Sequence, residues 1–509
     1  LCVAQRGAAR MPAVVAWLQV WLTSFFDNSQ FLLLVSCLVA HVLAPSMLAL
    51  SMIAVASTIS VCDLAVVGGG PGGAYVAWRY ATAMPNQTVC LYEMGTRVGG
   101  RVHSMRNQGP KRDLVVEAGA YRFAPNETCA HFGNFTYCIY TPLTGHLILD
   151  ALKLPTKRYN PLPGQWDSDL IKIADAQGHD AGYLTFVEAM VERVPPPNLK
   201  LLFGHQLNSI AVTPKLKLLS LSFAGSSTPV HAKRLVLNVP QRPLLRILSQ
   251  SPSLFPPAAP AGTTSSHGAT AAAAASWPAA LTYPLAYPIV KLYLHYADAW
   301  WINDLNLRSG HFNNSAQWKK ADEGPMASDD CIAARQSPYP LQGAYHDADV
   351  RCDGAAPAPR CRGFLQAAYM GDVQSVRLYE QFHYSGHDSA IDLDPSSRTD
   401  HRFLLDGVHE ALVAVHADKL RAVGPGVYER VRAMRPDGGV ASIWSERAEG
   451  LEAGCHQPRM LTPPLDQKDI PRLSLQPIEN EPRILVANEA FGTRECWAEG
   501  SLVMAENAL

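Results

Sequence analysis

The sequence has no excess of either charge, because 43 lysines and arginines are matched by 44 aspartates and glutamates, giving a formal net charge of −1 at pH 7. This balance gives no reason to expect a nucleic acid or an acidic partner. Cysteine is scarce as well: eleven among 509 residues are too dilute for a disulfide scaffold, and no CxxC pair indicates zinc. The chain is 48% hydrophobic and 17% charged, which is enough to bury a large core in two or more domains.

Charge is absent altogether from residues 31–57, which contain no Asp, Glu, Lys or Arg and are long enough to cross a bilayer. Near their end, Ala54-Val55-Ala56 forms a small-x-small cleavage pattern just before the first strand. We therefore expect residues 1–60 to be a signal peptide or an uncleaved signal anchor, the latter attaching the protein to a membrane through residues 31–57. An artefact of the chain start is the remaining alternative. In each case these residues are left out of the fold.

Secretion is also favoured by features further along the chain. Four sequons would accept glycans in the secretory pathway: Asn86, Asn126, Asn134 and Asn313. Two closely spaced cysteine pairs are plausible disulfides in an oxidising compartment: Cys129 with Cys138, and Cys352 with Cys361. The alternative is free thiols and unused sequons. We favour a secreted protein or one in the secretory lumen.

A glycine turn follows the first apolar run, Leu64 to Val67, which is short enough for one buried parallel strand. Gly68, Gly70 and Gly73 have GxGxxG spacing, and an alanine- and aromatic-rich helix begins behind them. Such glycines allow a tight turn, a close approach of backbone N–H groups to a pyrophosphate, and close packing of the helix on the strand. This pattern predicts a dinucleotide site.

A second strand, Thr88 to Tyr92, leads to Glu93, about twenty residues after the last glycine. A carboxylate at this place suits the hydroxyls of a ribose. The next residues, GTRVGGR from Gly95 to Arg101, are an extension that a plain NAD-binding fold does not need. Adjacent glycines followed by Arg101 allow the backbone to lie against a cofactor while a guanidinium reaches phosphate oxygens.

The acid, arginine and Gly-Gly-Arg in this order resemble the signature of the flavin-containing amine oxidases, and the resemblance implies FAD. It extends over roughly residues 61–509 and is most specific at the two ends. The cofactor-binding residues that it implies are Gly68, Gly70, Pro71, Gly72, Gly73, Glu93, Met94, Arg101, Gly119, Ala120, Tyr121, Arg122, Leu207, Glu489, Trp497, Ala498, Glu499, Gly500 and Ser501.

A Gly-x-x-Arg turn distinguishes the branches of this family. In the L-amino-acid oxidases the chain returns to the flavin at such a turn, and its arginine pairs with the substrate carboxylate. Gly119 and Arg122 match the pattern, and a guanidinium fork suits a carboxylate bidentately. The alternative is a solvated arginine, or one that reaches the FAD phosphates.

Two further site residues are implied by resemblance in the middle of the chain. Lys291, within YPIVKLYLHYADAWW, matches the family lysine that holds a water against flavin N5. Tyr345 matches a tyrosine that supports the substrate carboxylate. A lysine that extends its amine to the edge of a strand is the alternative for Lys291.

The C-terminus resembles the family segment that returns to the flavin before a helix. Glu489, Cys496 and Trp497 have the family spacing, and Trp497 would form a wall of an aromatic cage. Asn488 and Cys496 replace glycines of the pattern. A thiol at position 496 would narrow the substrate pocket; covalent attachment of flavin is not expected, because the attaching cysteine of relatives lies in a differently spaced motif.

The fold class implied is α/β, with a Rossmann-like FAD-binding domain of the glutathione-reductase type assembled from discontinuous segments and an inserted α+β substrate domain. The predicted division is FAD-binding 61–125, 202–250 and 456–509, substrate domain 126–201 and 281–455, and a Pro/Ala-rich insertion 251–280. Helices are predicted at Tyr183–Arg193 and Asp406–Leu420, and a half-buried strand at Tyr287–Trp301.

The implied function is oxidative deamination of an L-amino acid to a 2-oxo acid, ammonia and hydrogen peroxide, with hydride transfer to flavin N5 and reoxidation by O2. Catalysis would involve Lys291 and Trp497, and the substrate would contact Arg122, Tyr345, Cys496 and Trp497. One alternative is a monoamine or polyamine oxidase of the same fold. Another is a catalytically degenerate binding protein, which the departures at Asn488 and Cys496 motivate.

Overall fold

The computed structural model describes residues 61–132, 135–213, 215–254, 278–314, 338–354, 360–382, 389–448, 450–458, 466–494 and 496–509. The predicted signal segment 1–60, the sequon Asn134 and most of the Pro/Ala-rich insertion lie outside these residues. Among the described residues no helix is both long and apolar enough to span a bilayer.

The strands within these ranges are, in chain order, β1 (Val61–Val67), β2 (Val89–Tyr92), β3 (Ser104–Gln108), β4 (Leu114–Glu117), β5 (Thr128–Phe132), β6 (Phe135–Ile139), β7 (Thr156–Arg158), β8 (Ile171–Ile173), β9 (Leu199–Leu202), β10 (Leu207–Thr213), β11 (Leu218–Phe223), β12 (Val230–Leu237), β13 (Pro284–Tyr287), β14 (Ile289–Tyr296), β15 (His311–Asn313), β16 (Gln342–Ala344), β17 (Val350–Asp353), β18 (Arg360–Met370), β19 (Ala390–Leu393), β20 (Gly438–Trp444), β21 (Cys455–Pro458) and β22 (Ile484–Val486).

The helices are α1 (Pro71–Ala83), α2 (Pro142–His146), α3 (Thr185–Glu192), α4 (Gln241–Ser249), α5 (Ala279–Thr282), α6 (Trp300–Asn303), α7 (Val373–Glu380), α8 (Thr399–Val423), α9 (Pro425–Ala433), α10 (Ile470–Leu475) and α11 (Ala498–Ala508). A π-helical turn at Leu147–Ala151 continues α2, and 3-10 turns occur at Pro252–Leu254, Gln467–Asp469 and Glu489–Phe491.

The first sheet has seven strands in the order β10-β11-β12-β1-β2-β9, with β22 also paired to β12. Its centre is parallel, because β1 pairs in parallel with both β12 and β2. The last four residues of β1 are buried, as expected for a strand covered on both faces of a parallel sheet. Three separated stretches of chain supply these strands, as a cofactor domain assembled from discontinuous segments would require. Strand β9 also belongs to this sheet, although the predicted boundary at residue 202 assigns it to the substrate domain.

The second sheet also has seven strands, in the order β15-β16-β18-β14-β20-β19, with β17 paired to β18. All of its pairings are antiparallel, and all of its strands lie in the sequence between β12 and β22. Helix α8 packs against one face through Leu404, Leu405 and Val408. The chain thus inserts an antiparallel α+β layer between the pieces of the first sheet.

The strand predicted at Tyr287–Trp301 differs from the structure in two ways. β14 ends at Tyr296, and the two tryptophans that follow belong to α6 and are fully buried. The strand is buried rather than half-buried, because α8 covers one of its faces and the β3–β4 hairpin covers the other, where Leu114 contacts Tyr293. Its polar residues therefore face the protein interior.

Four disulfides join the eight cysteines within the described residues: Cys62–Cys90, Cys129–Cys138, Cys352–Cys361 and Cys455–Cys496. The second and third are the pairs expected from sequence spacing, and each cross-links one hairpin. The other two connect distant segments and were not foreseen. Four disulfides are consistent with an oxidising, secretory environment.

Candidate functional site

The glycine turn connects β1 to α1 in a conformation that only glycine adopts readily. Gly68 has φ +98°, and a Cβ on Gly73 would lie 1.9 Å from the Gly68 carbonyl oxygen. Gly70 occupies the N-cap position of α1 without a side-chain cap, and Pro71 begins the helix. A helix N-terminus that no side chain covers is a favourable place for phosphate oxygens.

The carboxylate of Glu93 holds this turn from the end of β2. One of its oxygens accepts a hydrogen bond from the Gly69 N–H at 2.8 Å, and the other accepts one from the Gly95 N–H at 2.7 Å. Each carboxylate oxygen has a further lone pair for a ribose hydroxyl. Glu93, which is identified from its spacing in the sequence, can therefore hold the glycine turn and bind a ribose at the same time.

We call the cavity beside Glu93 the outer cavity; Glu93, Met94, His205 and Leu207 are among the residues that line it. Its volume is about 390 Å³, within the range of small-molecule sites. Leu207, the first residue of β10, is buried. The resemblance implies that Leu207 is a cofactor-binding residue, and the structure brings it to the same cavity as the ribose-binding candidate Glu93.

We call the second cavity, of about 120 Å³, the inner cavity; its walls include Gly119, Lys291, Tyr369 and Trp497. Gly70 and Pro71 of the glycine turn line it too. Three residues, Gly100, Pro240 and Leu451, line both cavities. The glycine turn and the C-terminal helix entrance thus meet at one elongated site, as the resemblance requires.

The C-terminal segment is tied to the glycine turn by a direct hydrogen bond. The Ser501 hydroxyl on α11 accepts from the Gly72 N–H at 3.1 Å, and it contacts the Asn238 side chain at 3.1 Å. The Asn238 amide in turn donates to the Gly68 carbonyl at 3.1 Å. This short network fixes three separated segments around the site.

Glu489 forms the polar centre of the inner wall. Its carboxylate contacts the Arg101 guanidinium at 2.5 Å and the His456 ring at 3.0 Å. It also accepts a hydrogen bond from the backbone N–H of His456 at 2.9 Å. Burial alone would raise the pKa of Glu489, but Arg101 and His456 hold it well below its usual range. The predicted phosphate contact of Arg101 stays a prediction, because its guanidinium is engaged by Glu489.

Lys291 lies at the inner end of the site and is 2% exposed. Its Nζ donates to the carbonyls of Gly119 at 2.6 Å and Glu117 at 3.1 Å, and it lies 3.8 Å from the ring centroid of Tyr121. Burial lowers the pKa of Lys291 to about 7, because desolvation disfavours the charged amine. The strand-edge alternative is therefore wrong: β14 is central, and its lysine faces the cavity.

Arg122 is half-buried between two aromatic rings. Its guanidinium carbon lies 4.7 Å from the ring centroid of Tyr121 and 4.5 Å from that of Tyr159. Within the described residues it forms no hydrogen bond or ion pair, although the electrostatic influence of the buried Asp347 reaches it. Arg122 does not line the inner cavity. The guanidinium is thus charged and lacks a carboxylate at bonding distance.

Three predicted site residues have other surroundings than expected. Tyr345 lies in the core of the second sheet, where its hydroxyl contacts His416 at 2.7 Å. The Glu499 carboxylate accepts from backbone N–H groups at the start of α2, at 2.8 and 3.0 Å, and so stabilises that helix end, while its cofactor contact stays a prediction. Cys496 lines the inner cavity as predicted, but as a disulfide with Cys455 and not as a thiol.

Trp497 forms part of the inner wall at the N-cap of α11, and its indole N–H donates to the Tyr137 hydroxyl at 3.3 Å. Ala498 and Ser501 line the same cavity, as do Gly119 and Ala120. Gly500 is buried behind them, and Tyr121 lies beneath Lys291. These positions are where the resemblance places them, while their contacts with a cofactor stay predictions.

Several residues of the site were not foreseen from the sequence. They are Tyr159, Asn238, Tyr369, Trp444 as a cavity residue, and His456. The only local signal is that Asn238 directly follows β12, since residues at the carboxyl ends of parallel strands face the ligand crevice. The others lie in the second sheet, in β21 or in a loop, where no motif marks them.

Comparison with known proteins agrees with the local geometry. Residues 66–134 match the model of the NAD(P)-binding Rossmann-like domain family. A segment of 64 residues is 36% identical to the uncharacterized protein R188 of Acanthamoeba polyphaga mimivirus. That similarity spans 13% of this chain and 12% of the viral protein. The chain therefore contains a Rossmann-like dinucleotide-binding domain, and this supports a flavin-dependent oxidoreductase.

Proposed function

We propose that this dinucleotide-binding protein is an FAD-dependent oxidase that converts an L-amino acid to a 2-oxo acid, ammonia and hydrogen peroxide. The observation that carries the proposal is the pair of adjoining cavities. The outer one begins at Glu93, the inner one ends at Lys291 and Trp497, and both are lined by Gly100. A site of this length suits a dinucleotide that extends well beyond its pyrophosphate.

The chain's own residues fit FAD. The outer cavity offers Glu93 for ribose hydroxyls and Leu207 for an apolar contact with adenine, and the uncapped helix end at Gly70 suits the pyrophosphate. The inner cavity has an apolar wall of Tyr369, Trp444 and Trp497 that suits a flat ring system. When bound, FAD supplies the hydride acceptor and the centre that reacts with O2.

Lys291 would accept a proton from the substrate at the inner end of the site. With a pKa of about 7, a large fraction of its amine is neutral near physiological pH. The two carbonyls that it contacts can accept both N–H groups of a neutral amine, which leaves one lone pair for a water or for the substrate. An amino acid must lose its ammonium proton before it can donate a hydride, and Lys291 is suitably placed to accept that proton through a water.

Arg122 would select the substrate. A half-buried guanidinium that stacks between Tyr121 and Tyr159 and makes no ion pair within the described residues has its donors available for a carboxylate. Tyr369 connects this region to the cavity, since it lines the inner wall and its ring lies 6.0 Å from that of Tyr121. The substrate carboxylate would approach Arg122 past these rings.

A monoamine or polyamine oxidase is the second candidate, and one observation favours it. The inner cavity presents three aromatic rings, those of Tyr369, Trp444 and Trp497, whereas Arg122 is not part of its lining. An amine substrate, which has no carboxylate, would need only such an aromatic cage for its ammonium group. The two candidates differ in whether Arg122 contributes to substrate binding.

The first experiment is an absorbance spectrum of the purified protein, followed by anaerobic bleaching with a panel of L-amino acids and amines. Flavin absorbance that is bleached by amino acids supports the proposal. Bleaching by amines alone would replace it with the second candidate. Absence of flavin absorbance would point to a degenerate binding protein.

The Arg122→Ala variant tests the substrate role directly. Loss of a charge-assisted hydrogen bond costs about 1.5–3 kcal/mol, which corresponds to a loss of about 10- to 150-fold in kcat/KM for amino acids. Arg158→Ala is a matched control, because that arginine is exposed next to Tyr159. Equal kinetics for Arg122→Ala and Arg158→Ala on amino acids would remove Arg122 from the substrate site.

A further inference from the structure

Asp167, His311 and His346 converge at a place that the proposed oxidase chemistry does not use. One potential ligand atom from each side chain lies within 4.8 Å of the others. They come from three separated segments: the loop between β7 and β8, strand β15, and the residues after β16. Their convergence is therefore a product of the tertiary fold and not of local spacing.

The carboxylate of Asp167 is held in a defined orientation. Its Oδ1 accepts from the Asn160 side-chain amide at 2.7 Å, while its Oδ2 lies 3.1 Å from His346 Nε2. Asn160 is itself fixed, because its oxygen accepts from the Ser309 hydroxyl at 2.7 Å. Ligands of metal ions are commonly oriented by such outer hydrogen bonds.

The His346 ring is buried and only partly satisfied. The side chains of His346 and Asp167 are each 1% exposed, and His346 Nδ1 has no hydrogen-bond partner among the described residues. An imidazole nitrogen left without a partner in a buried position is costly. The other nitrogen, Nε2, faces Asp167 and is the one available to a cation shared with that carboxylate.

His311 gives the cluster an opening to solvent. It is exposed, in contrast to the other two, and its ring lies edge-on to that of His346 with centroids 5.2 Å apart. A metal ion would thus have access from solvent through one ligand while the other two are already positioned.

We propose that Asp167, His311 and His346 bind one Zn²⁺ ion. Two imidazoles and one carboxylate are ligands that zinc accepts at about 2.0–2.2 Å, which places tetrahedral ligands roughly 3.3 Å apart. The 3.1 Å between His346 and Asp167 already has this separation, and small side-chain rotations of His311 complete the set. The fourth position remains for a water.

The ion has a structural consequence for the neighbouring pocket. Tyr159 lies eight residues before Asp167 in the same loop, and its ring is 4.7 Å from that of His346 on one side and 4.5 Å from the Arg122 guanidinium on another. Zinc would therefore link the loop that carries Tyr159 to the second sheet. It would thereby stabilise the stacking of Arg122 on the Tyr159 ring. This consequence rests on the proposed function only where Arg122 is concerned; the zinc site itself does not.

The test is metal binding by the full chain, prepared without a histidine tag and treated with a chelator. After addition of Zn²⁺ and dialysis, elemental analysis is expected to find one zinc per chain, and titration calorimetry gives its affinity. Co²⁺ in place of zinc is expected to give the visible absorption of a tetrahedral site. None of these readouts needs flavin or an amino acid, so they can succeed or fail independently of the oxidase proposal.

Variants localise the site. His311→Ala, at an exposed position, is expected to weaken zinc binding by at least about 100-fold, and Asn160→Ala by about 10- to 100-fold through loss of the outer hydrogen bond. His146→Ala is the control, because His146 pairs with Asp150 at the surface without a third ligand. Absence of zinc binding in the wild-type chain, or equal affinity in His311→Ala and His146→Ala, would overturn the proposal and leave a hydrogen-bonded Asp–His cluster.

Discussion

Replacing Lys291 with methionine is expected to change how the free energy of unfolding depends on pH. Burial lowers the pKa of Lys291 from 10.5 to about 7, so between these two values the unfolded chain binds more protons than the folded chain. Stability therefore rises with pH across this window, by up to about 1.4 kcal/mol per pH unit. The Lys291→Met variant lacks this contribution and should show a flatter dependence.

The difference is large enough to measure. From about pH 7 to about pH 9 the wild-type protein should gain about 2 kcal/mol relative to Lys291→Met. Methionine also leaves the carbonyls of Glu117 and Gly119 without the donor, at about 1–3 kcal/mol each, but that loss is nearly independent of pH. Urea unfolding followed by tryptophan fluorescence over this pH range separates the slope from the offset.

Lys233→Met is the control, because Lys233 is exposed and pairs with Asp63 at 2.6 Å. The hydrogen bond to Asp63 raises the pKa of Lys233 above its usual value. Its contribution is therefore fully present below the unfolded pKa and is lost only as pH rises through the higher folded pKa. Lys233→Met should parallel the wild type between about pH 7 and 9. A Lys291→Met curve that also runs parallel would refute a neutral lysine at the inner end of the site.

Three further predictions concern the architecture of the site. Gly73→Ala should abolish retention of flavin absorbance, since its Cβ would lie 1.9 Å from a backbone oxygen, whereas Gly426→Ala, with open space around it, should retain it; equal retention would contradict the tight turn. Ser501→Ala should lower the free energy of unfolding by about 1 kcal/mol, seen as a lower Tm, and an unchanged Tm would show that its hydrogen bonds are dispensable. Cys496→Ser should expose one titratable thiol and destabilise the chain by about 2–5 kcal/mol; no new thiol would mean that the disulfide does not form.

The sequence predicts the glycine turn and its surroundings well because the chemistry there is local. Gly68, Gly73 and Glu93 lie within one strand–helix–strand unit, where spacing along the chain determines spacing in space. The return of Ser501 and Trp497 to this unit could be anticipated only by resemblance to a family. The structure places both at the inner cavity.

Predictions for the second sheet are less accurate, because the role of a residue there depends on contacts with residues that are distant in the sequence. Tyr345 has a plausible place in an alignment, yet its hydroxyl is used by His416 in the core. Tyr159 and Tyr369, which surround Arg122 and Lys291, lie in a loop and a strand without any motif. The alternating pattern before Trp300 predicts one exposed face, but the β3–β4 hairpin covers that face. Nothing in the local pattern reveals such a cover.

The pairing of β22 with β12 has a consequence for how the protein matures. β12 aligns with β1 along its length, but its second half, Leu235–Leu237, also needs the late-synthesised Ile484–Val486 as its other neighbour. The whole second sheet, which lies between β12 and β22 in the sequence, is therefore synthesised before β22 completes the nucleotide-binding crevice. Loading of the proposed flavin is thus expected to be a late step in biogenesis, and a nascent chain stalled before β22 is expected to lack flavin absorbance.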